Sequence, residues 1–165
     1  MRICLIGFMG SGKTTIGRSL SERLNLRWID LDQYIEKKSN QSISDIFEKY
    51  GEAYFRRLEQ GALNELLIQD ELVISTGGGI ITTPDNRVVL KNEISIYLEY
   101  PFETLYERIA GDSNRPLATS YESLKERFTS RLDLYEQSSQ VRINCQEKSV
   151  NEITQEILTC LETIS

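Results

Sequence analysis

The sequence predicts an α/β fold, a parallel sheet covered by helices on both faces, and three observations carry that prediction. Short apolar runs of strand length recur along the chain, helical apolar spacing fills stretches between them, and a glycine-rich loop joins the first run directly to the first helix. At 165 residues, 39% of them hydrophobic, the chain is sized for one domain, 1–165, able to close a core without disulfides or a structural metal.

Residues 2–6 read as a buried strand ended by Gly7, and an amphipathic helix starts near Lys13 and runs to about Leu24. Trp28-Ile29-Asp30-Leu31-Asp32 reads as a second strand. From Ser44 to Leu67 the apolar spacing is helical but broken near Gly51, so two helices are expected to meet there. Leu72-Val73-Ile74-Ser75-Thr76 is a third strand running into Gly77-Gly78-Gly79, Ile94 to Leu98 a fourth, and Arg142-Ile143-Asn144 a candidate fifth. A helix from about Val150 to Leu161 closes the chain, with Ile153, Ile157, Leu158 and Leu161 in its apolar positions. Between Ala110 and Tyr121, the turn residues Gly111, Asp112, Ser113, Asn114 and Pro116 mark a loop, read either as an ordinary surface loop or as a lid over about 110–121. No repeat or low-complexity linker divides the chain.

Composition narrows the partners. A net charge of −6 and a pI near 4.9 argue against nucleic acid or an anionic membrane surface, so an anionic ligand must be held by a local cluster. Arginines outnumber lysines 12 to 7, and arginine suits two-pronged grips on carboxylate or phosphate. The absence of histidine removes His-based triads and His-ligated zinc, leaving carboxylate, lysine or tyrosine for proton transfer. Cys4, Cys145 and Cys160 are an odd number at unrelated spacings and suit a reducing cytosol. The apolar start of the chain is too short for a signal peptide and no long apolar span follows, so a soluble cytoplasmic protein is expected.

Gly7-Phe8-Met9-Gly10-Ser11-Gly12-Lys13-Thr14 matches the phosphate-loop pattern and lies between a predicted strand and a predicted helix. Its glycines let successive backbone N–H groups turn inward onto phosphate oxygens, and the helix N-terminus adds partial positive charge. Gly10, Ser11, Gly12, Lys13, Thr14 and Thr15 are therefore the expected nucleotide contacts, with Lys13 reaching the β- and γ-phosphates and the Thr14 hydroxyl on magnesium. The loop specifies a nucleotide and leaves the reaction open.

The acceptor side is sought among the remaining charged and glycine motifs. Asp30 and Asp32, two apart on the predicted strand, project to one face at its C-terminal end, one carboxylate beside magnesium and the other free for an acceptor hydroxyl. In Phe55-Arg56-Arg57-Leu58-Glu59 helical spacing sets Glu59 to brace Arg56; the segment reads equally as a salt-bridged surface helix. Gly77, Gly78 and Gly79 leave no side chain between backbone and a ligand.

Taken in order, these motifs together with Arg115-Pro116-Leu117 and Arg131-Leu132-Asp133-Leu134-Tyr135 resemble the shikimate kinase family over nearly the whole chain. The resemblance implies five parallel strands in the order 2-3-1-4-5, a substrate-binding region over about 31–62, a mobile lid, and Mg2+ with ATP as phosphoryl donor. It implies that Asp32, Arg56, Gly78 and Arg131, with Gly77 and Gly79 beside them, contact shikimate, both arginines gripping its carboxylate. Asp30 and Thr14 fall on the magnesium side, Lys13, Asp32 and Arg115 carry catalysis, and Arg108 flanks the adenine opposite a position where some members have proline and this chain reads Gln146-Glu147-Lys148-Ser149-Val150. Phe47 and Phe55 match residues walling the shikimate pocket. The implied reaction is transfer to the 3-hydroxyl of shikimate by a cytoplasmic monomer. The rival readings are a kinase for another hydroxy acid such as gluconate and a non-catalytic nucleotide-binding module.

Overall fold

A computed structural model describes residues 1–112 and 119–164. The strands β1 (Arg2–Ile6), β2 (Arg27–Asp30), β3 (Leu72–Ser75), β4 (Ile94–Glu99) and β5 (Val141–Asn144) form one sheet in the order β2-β3-β1-β4-β5, every neighbouring pair parallel. Ile3, Cys4, Leu5 and Ile6 are all fully buried, and since alternate residues of a strand point to opposite faces, both faces of the sheet are covered at its centre. The helices are α1 (Lys13–Leu24), α2 (Leu31–Ser39), α3 (Ile43–Tyr50), α4 (Glu52–Leu66), α5 (Pro84–Asn92), α6 (Phe102–Gly111), α7 (Tyr121–Ser138) and α8 (Val150–Ile164), with a short 3-10 turn at Ile80–Thr82. The break expected near Gly51 falls between α3 and α4, where Gly51 has φ 84°.

One local expectation is corrected. The second strand ends at Asp30 rather than Asp32, because the Asp30 carboxylate accepts a hydrogen bond from the Gln33 backbone N–H at 3.0 Å and caps α2. Aspartate is among the strongest N-caps, and here it starts a helix where strand alternation was expected to continue. Asp30 therefore belongs to the strand end and Asp32 to the first turn of a helix.

The sheet places the phosphate loop through a short relay of side chains. Trp28 Nε1 on β2 donates to Ser75 Oγ on β3 at 3.0 Å, and Ser75 Oγ donates to the Lys13 carbonyl at 2.7 Å, tying the start of α1 to two strands. Gly17 lets α1 lie this close: a Cβ there falls 2.3 Å from Ser75 Oγ and 2.6 Å from Trp28 Nε1. Replacing Gly17 with alanine is thus expected to destabilise the protein by about 1–3 kcal/mol through overpacking, against the helix-propensity gain of roughly 1 kcal/mol that the same change gives on an open surface. Urea unfolding of the variant checks this; a midpoint at or above wild type would show that the contact yields without cost.

Candidate active site

The phosphate loop runs from β1 into α1, with Gly10 at φ 82° and Gly12 at φ 83°, conformations that favour glycine over any residue with a Cβ. Ser11 is buried within it. Lys13 Nζ donates to the carbonyls of Gly7 at 2.6 Å and Phe8 at 3.0 Å, acceptors that incoming phosphate oxygens can replace. Thr15 lies exposed in the first turn of α1. On the flank of the loop, the Arg108 guanidinium donates to the Gly10 carbonyl at 3.1 Å and lies 4.3 Å from the centre of the Tyr100 ring. Four residues before Arg108 on α6, Thr104 Oγ1 donates to Gln146 Oε1 at 3.0 Å, so the segment after β5 that lacks the proline is held to α6 by its side chain.

Thr14 Oγ1 donates to Asp30 Oδ2 at 3.2 Å, bringing together two of the predicted metal-side groups. Among the described residues there is no cluster of three or more His, Cys, Asp or Glu able to cage a metal. One hydroxyl and one carboxylate are what Mg2+ takes from a protein when nucleotide phosphates and water fill its remaining positions, so the donor set fits that ion.

The acceptor cleft, of about 320 Å³, opens beside the loop. Its walls come from Met9 of the loop, Asp32 of α2, Phe47 of α3, Phe55, Arg56 and Glu59 of α4, the Gly77–Gly79 turn, and Arg127 and Arg131 of α7. The Phe47 and Phe55 rings meet at 4.8 Å between centroids, Phe55 buried and Phe47 at the rim of exposure. Arg56 Nη1 donates to Glu59 Oε1 at 2.9 Å, settling the bracing that sequence left open, and Glu52, four residues before Arg56, accepts from its Nε and Nη2 at 3.4 Å. The glycines make room for these side chains. A Cβ on Gly79 falls 2.3 Å from Arg56 Nη2, and one on Gly77 falls 3.1 Å from Asp32 Oδ1 and 3.4 Å from Glu59 Oε2. The triplet thus seats the charged side chains against bare backbone, a use the sequence reading did not include.

Electrostatics set the two carboxylates apart from ordinary ones. Burial, reinforced by the nearby Asp30, raises the Asp32 pKa against the opposing pull of Lys13 and Arg56. Burial pushes Glu59 up to about 7 although Arg56 pulls it down. Asp32 Oδ1 and Glu59 Oε2 are both buried without a hydrogen-bond partner among the described residues, which leaves acceptors for a donor brought by a ligand. Burial and the neighbouring Arg127 and Arg56 lower Arg131, so three guanidiniums converge on one cleft and favour an anion.

The raised Glu59 carries a stability consequence. In the unfolded chain it ionises near 4.5, whereas in the folded protein it keeps its proton to about 7. Between those values unfolding releases a proton, so stability falls as pH rises through the window and levels off above it. Urea midpoints from pH 4 to 8 should show the wild-type-minus-Glu59→Gln difference declining across this window; a flat difference would refute the assignment.

The sequence-predicted residues Lys13, Thr14, Asp30, Asp32, Arg56, Gly77, Gly78, Gly79 and Arg131 come together around the loop and cleft. Arg115 and half of the predicted lid, residues 113–118, lie outside the described residues. Sequence reasoning missed Glu52 and Arg127, although each lies four residues before a predicted arginine, the helical spacing that marks a shared face.

A phosphate loop at the end of the central strand, facing a cationic acceptor cleft with an unpartnered carboxylate, defines the class as a phosphate-loop kinase acting on a small anionic molecule. Comparison with known proteins agrees: the shikimate kinase profile matches residues 9–162. A shikimate kinase from Persephonella marina is 44% identical over 158 residues, covering 94% of this chain and 96% of that relative. The structure of a shikimate kinase from Acinetobacter baumannii in complex with shikimate superposes with a TM-score of 0.92 at 38% identity, covering 99% of this chain and 94% of that one. The chain belongs to the shikimate kinase family. A gluconokinase from Sinorhizobium meliloti, at 18% identity and a TM-score of 0.61 over 99% of this chain and 92% of its own, shares the fold alone.

Proposed function

We infer that this protein transfers the γ-phosphoryl group of ATP to the 3-hydroxyl of shikimate, giving shikimate 3-phosphate and ADP. The observation that carries the reading is the acceptor cleft itself: Arg56 and Arg131 stand ready for a carboxylate while buried Asp32 Oδ1 waits for a hydroxyl donor. A polyhydroxy acid with a rigid ring offers both groups at fixed separation. Gluconate offers a carboxylate on a flexible chain, whose ordering would cost more conformational entropy.

Phosphoryl transfer asks for position and charge more than for covalent chemistry. The inward-turned loop backbone and Lys13 hold the β- and γ-phosphates. Asp32 orients the 3-hydroxyl toward the γ-phosphorus and accepts its proton, a role its raised pKa improves. Thr14 and Asp30 would hold Mg2+, which when bound neutralises phosphate charge. Arg108, resting on the Tyr100 ring, is assigned to one side of the adenine, and the Gln146 segment to the other. Arg115 is assigned to the transferring phosphate on its place in the sequence motif, and the stretch of about 110–121 to a lid.

The remaining assignments follow the same reading. Cys4, Cys145 and Cys160 are free thiols, and among the described residues no helix is long and apolar enough to cross a membrane; the thiols support a cytoplasmic location. ADP release from Mg-ATP with shikimate, quinate, gluconate or no acceptor tests the function. Dependence on shikimate is the expected result, and release without preference or only with gluconate would overturn it.

A further inference from the structure

We propose that Tyr135 is a positioning residue for the acceptor site, its hydroxyl holding the Gly78 carbonyl of the glycine turn beside the Arg131 guanidinium of α7. The proposal rests on the reading of Arg131 and Gly78 as shikimate contacts. Tyr135 Oη donates to the Gly78 carbonyl at 2.5 Å, and the Arg131 guanidinium lies against the same glycine, its Nη1 3.8 Å from where a Gly78 Cβ would be. Four residues apart on α7, Arg131 and Tyr135 share a helix face.

The direction of this bond is fixed by valence. A carbonyl can only accept, so the single phenol proton goes to Gly78. The ring cannot swing away. It is fully buried and stacks on Tyr97 of β4, with centroids 5.1 Å apart and planes 19° from parallel. Burial also raises the phenol to about 12, so the hydroxyl keeps its proton wherever the enzyme works.

The consequence reaches both carboxylate-gripping arginines. Holding the Gly78 carbonyl fixes the plane of the Gly78–Gly79 peptide, because the carbonyl and the next N–H lie in one rigid unit. Arg56 rests on that same turn, its Nη2 only 2.3 Å from where a Gly79 Cβ would be. One buried hydroxyl thus sets the backbone against which both Arg131 and Arg56 lie.

Tyr135→Phe tests this, since it keeps the ring and the stack and removes only the hydroxyl; Tyr97→Phe, which removes the other hydroxyl of the stacked pair, is the control. The expected result for Tyr135→Phe is a rise of about tenfold in the KM for shikimate, equivalent to about 1.4 kcal/mol, with the KM for ATP changed less than twofold. Tyr97→Phe should leave both values unchanged. A rise below threefold, or an equal rise for both substrates as a merely structural role would produce, overturns the proposal. Amide and guanidinium NMR spectra of the free proteins give a readout independent of turnover: Gly79 N–H and Arg131 Nε–H should shift in Tyr135→Phe and hold in Tyr97→Phe. Unshifted resonances would overturn the link even if shikimate proved not to be the acceptor, and shifted resonances without shikimate-dependent turnover would instead overturn the acceptor assignment.

Discussion

Replacing Asp32 with asparagine is expected to lower turnover with shikimate by roughly 10²- to 10⁴-fold, the range removed when a positioned proton acceptor is lost. Asparagine keeps the side-chain shape and can still accept a hydrogen bond, so the variant separates orientation of the hydroxyl from removal of its proton. ATP binding should persist, because the phosphate contacts are assigned to the loop and Lys13 rather than to α2. Calorimetric titration with a non-hydrolysable ATP analogue, beside steady-state rates, measures both. Turnover within about tenfold of wild type would remove Asp32 from proton transfer and leave it an orienting group only. Loss of nucleotide binding together with turnover would point instead to a disturbed phosphate loop.

Arg56→Ala is the second large effect, and it should appear in two observables at once. Loss of a charge-assisted, two-pronged contact of about 3 kcal/mol raises the shikimate KM on the order of 10²-fold, while the ATP KM stays near wild type. The substitution also strands Glu59, whose side chain is 1% exposed, without its ion-pair partner. Removing one member of a buried pair costs about 3–5 kcal/mol, so the variant should unfold at markedly lower urea. The double variant Arg56→Ala, Glu59→Gln should recover part of the stability without recovering shikimate affinity, because the residues interact directly and their effects are not additive. Recovery of both together would mean that Arg56 acts on the acceptor only by keeping α4 folded.

Much of this architecture was legible because its signals are local. A strand that runs into Gly7, two further loop residues and Gly-Ser-Gly-Lys-Thr has few structural alternatives, and continuous apolar runs at 3–6, 72–74 and 96–98 mark strands buried on both faces. Helices α2, α5, α6 and α7 were not assigned from sequence. Over the 18 residues of α7 only Leu124, Phe128, Tyr135 and Ser138 are buried, because the helix meets the core along a narrow stripe. The strand expected to continue to Asp32 failed for a comparable reason: alternation of Ile29 and Leu31 with acidic residues mimics strand period, and only the capping bond from Asp30 to Gln33 shows that a helix has begun.

What the sequence determined by itself is the chemistry available: a phosphate cradle, a lysine, paired carboxylates, and arginines in place of histidine. The motif spacing was enough to identify the family, because each motif is a short continuous segment whose local conformation its own residues dictate. The tertiary structure decided which of those groups face one another. Gly79 meets Arg56 across the chain, Asp32 and Glu59 converge on Gly77, and Tyr135 reaches Gly78 from a helix 57 positions away. Such contacts depend on the packing of α4 and α7 against the Ile80–Thr82 turn that follows the glycine triplet, and packing sums many weak interactions over the whole core, so no segment encodes them alone. Burial is decided in the same way, and burial is what turns Asp32 and Glu59 from ordinary surface carboxylates into groups with raised pKa values.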